Sequence, residues 1–174
     1  MKNLNEFKIP FVGLKEGKHQ FDFQIDREFF DAFGYDEFEQ VDFKVSLCLT
    51  KKETLLELDF VADGSVNVPC DVTGEDFDLE VKGDFSLIVK FGEAFNNDNE
   101  ELLILSHHAY QVEVQQYIYE LIILSIPQKR IKPGVSREDI NALEEKQEQK
   151  KETKSKKEQV DPRWDQLKQL LDKK

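Results

Sequence analysis

The chain is poor in cysteine, poor in long apolar runs and, over most of its length, poor in positive charge. Its only cysteines are Cys48 and Cys70. Two thiols are too few for a disulfide framework. Without paired His or Cys spacing, they do not make a structural zinc site alone. No run of 18 apolar residues occurs, which excludes a spanning helix. The start, Met1-Lys2-Asn3-Leu4-Asn5-Glu6, lacks the charged-then-apolar pattern of a secretory signal, so the expected location is the cytoplasm. No Ser-His-Asp set, phosphate-binding glycine loop or metal-ligand spacing is present. The expectation is a protein that is not an enzyme and has no cofactor, no metal and no small-molecule substrate.

The charge is divided unevenly. Residues 1–127 carry 26 Asp/Glu against 10 Lys/Arg, a balance of −16, whereas residues 128–174 carry 10 against 14, a balance of +4. An acidic body repels polyphosphate and suits a basic protein partner. The tail holds two basic groups, Lys129, Arg130 and Lys132 after the body, and Lys150, Lys151, Lys154, Lys156 and Lys157 further on. Such patches bind phosphate without reading sequence. The interleaved glutamates, Glu144 to Glu158, equally suit a solvated linker.

What is present is period-2 patterning. Leu56, Leu58, Phe60, Ala62, Gly64, Val66 and Val68 share one parity, and Phe77, Leu79, Val81, Gly83, Phe85, Leu87, Val89 and Phe91 share another. Each set predicts a strand with one buried face. Neither changes parity across its glycine, so the glycines predict bends inside two long strands. The hairpin tip then falls at residues 69–74. A tight turn at Asp63-Gly64, a strong hairpin signal, is the competing reading.

Shorter strands are expected at residues 21–25, 41–49 and 102–105, with a short helix capped by Asp26 and stopped at Gly34. Residues 96–99, Asn-Asn-Asp-Asn, read as a loop. Residues 112–126 change to helical spacing and are apolar on most sides, which predicts a core helix covering the bent sheet, with Glu113, Gln116 and Glu120 as its polar stripe. Pro127 ends it. Phe77, Phe85 and Phe91 alternate with charged residues and are expected on the core face. His107 and His108 are expected to form a solvated pair. Residues 128–159 are too polar to bury a core. Asp161, Pro162 and Arg163 open a final amphipathic helix with Trp164, Leu167, Leu170 and Leu171. Arg163 and Trp164 are the strongest partner-contact pair by residue type.

Four features occur in order: the strand-bend-strand pattern, Cys70-Asp71 at the tip, the run from Glu120 to Pro127, and Asp161-Pro162-Arg163-Trp164. This order resembles the YceD family of large-ribosomal-RNA accumulation proteins. The resemblance implies a role in biogenesis of the large ribosomal subunit without known enzymatic activity. Many relatives carry a second cysteine three positions after the first and more after the proline. Here Thr73 occupies the first of those places and residues 128–134 contain no cysteine, so no metal or redox role carries over.

The expected fold is α+β: a strongly bent antiparallel β-sheet, open or barrel-like, packed on a core helix, with a helical C-terminal tail. The expected domains are 1–127 for the sheet and core helix, 128–159 for a charged flexible linker, and 160–174 for an amphipathic docking helix. Expected partners are large-subunit ribosomal RNA or a basic ribosomal protein in pre-ribosomal particles, with no membrane. Candidate contacts are Lys129, Arg130, Lys132, Arg163 and Trp164. Direct RNA binding through the basic tail is the alternative.

Overall fold

A computed structural model describes residues 4–99 and 101–135. The expected tail helix, with Asp161, Pro162, Arg163 and Trp164, lies outside the described residues. The chain divides into two units at Arg130.

The first unit is built on a six-stranded sheet, in the order β2-β3-β4-β5-β7-β6. Its strands are β2 (Gly17–Asp26), β3 (Val41–Lys51), β4 (Leu55–Pro69), β5 (Asp76–Gly92), β6 (Asn96–Asn99) and β7 (Leu102–Ser106). A separate two-stranded ribbon pairs β1 (Lys8–Pro10) with β8 (Gln111–Glu113). A 3-10 turn at Leu4–Phe7 and two α-helices, α1 (Arg27–Asp31) and α2 (Gln115–Ser125), complete its described elements.

The long hairpin is continuous through both glycines. β4 and β5 pair without a register break from Leu55↔Lys90 to Pro69↔Asp76, and Asp63-Gly64 lies inside the ladder. Unbroken parity puts Leu56, Leu58, Phe60, Ala62, Val66 and Val68 on the buried face, as alternation requires.

Each glycine is needed because something lies against it. A Cβ at Gly64 would sit 2.2 Å from the Asp42 carbonyl oxygen and 2.7 Å from Cγ of Phe43. A Cβ at Gly83 would sit 2.0 Å from Oγ of Ser125 and 3.2 Å from Cδ1 of Leu121, both on α2. The helix therefore rests directly on the strand where a side chain is missing, a usual role for glycine within strands.

Four expectations are corrected. The sheet is not closed into a barrel, since β2 and β6 are its two ends. The sheet is not purely antiparallel, because β7 runs parallel to β5. Residues 96–99 form the edge strand β6, paired irregularly with β7. Their turn chemistry is used locally: Asn96 Oδ1 accepts from the Asp98 N–H, and Asn99 Oδ1 accepts from the Glu101 N–H. Finally, the helix spans Gln115–Ser125 and not 112–126. Residues 111–114 read Gln-Val-Glu-Val, which also alternates, and pairing of Val112 with Ile9 resolves 111–113 as strand.

Asp26 caps α1 as expected, its carboxylate accepting from the Phe29 N–H, and Gly34 has φ +72°. α1 and α2 meet through aromatic rings. Phe33 stacks on Tyr119 with centroids 4.5 Å apart and planes 12° from parallel. Phe30 adds contacts to Phe38 and Tyr119. Such pairs contribute about 0.5–1.5 kcal/mol each beyond their burial.

Candidate functional site

Two places in the first unit gather the residues singled out by sequence. One is the hairpin tip. Pro69 ends β4, and the Cys70 N–H donates to the Glu75 carbonyl at 2.9 Å. The Gly74 N–H donates back to the Cys70 carbonyl at 2.9 Å, with Gly74 at φ +73°. This tight closure buries Cys70 to 2% exposure, so its thiol is a packing group and not a presented nucleophile.

Asp71 is exposed beside it and reaches across the fold. Its N–H donates to the Arg130 carbonyl at 2.8 Å, and its Oδ2 accepts from the Arg130 N–H at 2.7 Å. The tip is thereby clasped to the chain just beyond α2. Arg130 enters through its main chain, which leaves the guanidinium out of the clasp. That charge acts on Tyr35. Burial, then the hydrogen bond from its hydroxyl to Glu37 Oε2 at 2.9 Å, pushes Tyr35 up to about 12, and Arg130 opposes the rise.

The second place is a groove of about 730 Å3 between α2, β5 and β6. Its walls include Asp84 and Phe85 of β5, Asn97 and Asp98 of β6, and Tyr117, Glu120, Leu121 and Leu124 of α2. Tyr117 donates to Asn97 Oδ1 at 2.9 Å, tying β6 to the helix. Burial and then the Glu120 carboxylate hold Tyr117 above its ordinary value. Gln116 Nε2 donates to Glu120 Oε1 at 2.8 Å, steadying that carboxylate. Phe85 stacks on Tyr117 with centroids 6.2 Å apart. Leu124 is 83% exposed at one wall.

The structure thus separates the motif residues. Cys70, Asp71 and Arg130 come together at the tip, whereas Glu120 belongs to the groove. Pro127 and Lys129 are exposed between α2 and the clasp. Lys132 lies in the second unit, in a turn where its carbonyl accepts from the Val135 N–H at 3.4 Å. Sequence reasoning missed Asp84, Asn97, Asp98 and Leu124. One signal was available for Leu124: it continues the row Gln116, Glu120 at the next i+4 step, so it belongs to the polar stripe. His107 and His108 are exposed in a turn, as expected. No group of three metal-ligating side chains occurs among the described residues.

A comparison with protein families matches residues 58–171 to the family described as Large ribosomal RNA subunit accumulation protein YceD. That span exceeds half the chain. The chain belongs to the YceD family. Both the clasp and the groove fall within the YceD match, while β1, β2 and β3 precede it. The YceD description ties the chain to the accumulation of large-subunit ribosomal RNA. Neither curated proteins nor solved structures gave a match. No helix among the described residues is long and apolar enough to cross a membrane.

Proposed function

We propose that this protein is a non-enzymatic assembly factor that supports large-subunit ribosomal RNA by binding a basic ribosomal protein, or a pre-ribosomal complex containing one. The observation that carries this reading is the YceD match across the hairpin, the tip and α2. The −16 balance over residues 1–127 supports a protein ligand of opposite charge, since complementary potentials speed encounter and exclude wrong partners. Among the described residues no histidine or cysteine lines the groove, and the Ser125 hydroxyl donates to the Leu121 carbonyl at 2.6 Å, which favours recognition over turnover.

Sedimentation of cell extract tests this. The protein is expected to co-migrate with precursors of the large subunit, and its depletion to lower large-subunit RNA relative to small-subunit RNA. Absence of the protein from those particles, with unchanged RNA, overturns the proposal.

Direct RNA contact through the basic tail is a second reading, favoured by Lys129, Arg130 and the lysines at 150–157. Replacing Lys150, Lys151, Lys154, Lys156 and Lys157 by Gln in the full chain should then abolish salt-sensitive RNA affinity. Unchanged affinity eliminates this route.

A further inference from the structure

We propose that the groove beside α2 seats a basic segment of the partner protein, which adds as an extra strand to the open edge of β5. This rests on the reading that the chain binds a basic partner, and it specifies where and in what conformation.

The first observation concerns β5. Its pairing with β4 covers residues 76–90, but its pairing with β7 begins only at Ile88. Among the described residues, 76–87 of β5 therefore have a strand neighbour on one side alone. The Ile88 N–H donates to the Glu101 carbonyl at 2.9 Å, toward the β7 side. Main-chain groups of alternate residues point the same way along a strand. The register of β5 on β4 is unbroken, so the N–H and C=O groups of Ser86, Asp84 and Lys82 point to that same side. A row of this kind is a template for an added strand. Lys82 does not block it, because its ammonium is drawn to Asp63 of β4 at 2.7 Å.

The second observation is the chemistry of the adjoining groove. Three acidic residues, Asp84, Asp98 and Glu120, are among those lining it, and none of the described residues lining it is a lysine or arginine. Its apolar surface comes from Phe85, Leu121 and the exposed Leu124. Arginine and lysine suit such a place, since their methylene stems cover apolar groups while their heads reach carboxylates. Side chains of an added strand alternate between faces, so the recognised segment carries basic residues at every second position. Phosphate is repelled by the same carboxylates, which makes nucleic acid the wrong occupant.

The test uses the full chain and a short peptide alternating arginine and valine, with an alternating glutamate–valine peptide and a single-stranded RNA as comparison probes. The arginine peptide is expected to bind, and to slow hydrogen exchange at the amides of Lys82, Asp84 and Ser86. The double variant Asp84→Asn, Glu120→Gln should weaken it about tenfold or more, while Glu16→Gln, Glu53→Gln, which removes the same charge from exposed sites outside the groove, should leave it unchanged. Equal weakening by both pairs, protection elsewhere, or RNA binding that the groove variant weakens equally overturns the proposal. Sedimentation separates this from the broader reading. If the groove variant co-migrates with large-subunit precursors as the native chain does, the groove assignment fails and the assembly role stands. If the native chain does not co-migrate, the assembly role fails and the peptide measurement still decides the groove.

Discussion

Asp71 and Arg130, 59 positions apart, exchange two hydrogen bonds that join the hairpin tip to the chain beyond α2. One uses the aspartate side chain, and neither uses the arginine side chain. The two residues therefore respond differently to truncation. Asp71→Ala removes an acceptor and should cost about 1 kcal/mol of unfolding free energy. Arg130→Ala keeps both bonds and should cost less than about 0.5 kcal/mol. Urea unfolding of the two variants checks this, and equal losses would contradict the geometry.

The same arginine opposes the rise of a tyrosine. Tyr35 is raised from 10.0 to about 12, chiefly by burial and then by Glu37. A raised folded value favours the neutral phenol, so its contribution to stability is intact below pH 10 and is lost as pH rises through about 12. Lys82, raised by its hydrogen bond to Asp63, acts in the same direction, so a variant is needed to separate them. Tyr35→Phe should reduce the alkaline fall in melting temperature. Arg130→Ala should move the Tyr35 transition, followed by phenolate absorbance, still higher. A downward movement would refute the placement of that charge.

The glycines should differ in tolerance. At Gly64 an added methyl meets the main-chain Asp42 carbonyl and Phe43 Cα, at 2.2 and 2.6 Å. Those atoms belong to a paired strand and have little room to shift. At Gly83 the nearest atom is a serine hydroxyl, which can rotate, and the next is Ser125 Cβ at 2.9 Å, which a slight shift of the last turn of α2 relieves. Gly64→Ala should cost about 3 kcal/mol and Gly83→Ala about 1 kcal/mol, within the usual range for overpacking. Denaturant unfolding ranks them, and the reverse order would be inconsistent with these contacts.

Two leucine-like positions on α2 separate folding from binding. Ile122 is fully buried, so Ile122→Ala should lose about 2–5 kcal/mol. Leu124 is 83% exposed, so Leu124→Ser should change stability by less than about 0.5 kcal/mol. It should nevertheless weaken the arginine–valine peptide several-fold. A stability loss at Leu124 comparable with that at Ile122 would show that it packs in the core.

Much of this architecture is legible in the sequence because alternation is a local property. The parity of residues 56–68 and 77–91 reports the buried face, and its persistence through Gly64 and Gly83 reports continuous strands and not a turn. Asp26 as a cap and Gly34 as a stop are equally local. What escapes is decided by partners distant in sequence. Val112 becomes strand only because Ile9 lies opposite. Residues 96–99 join the sheet only because β7 runs parallel beside β5. Cys70 and Asp71 are recognisable at a tip, but nothing local says that Arg130 meets them. The groove was hidden for the same reason: Asp84, Asp98 and Glu120 come from three elements, and each alone looks like an ordinary solvated acid.

Gly64 also settles an ambiguity that alternation leaves behind. Sliding β4 against β3 by two positions would keep every residue on its proper side. It would also place Ala62 or Val66 opposite Phe43, where Gly64 now sits and where even a methyl collides with the neighbouring backbone. The missing side chain thus works as a keyway, admitting one alignment of a pattern that otherwise fits several.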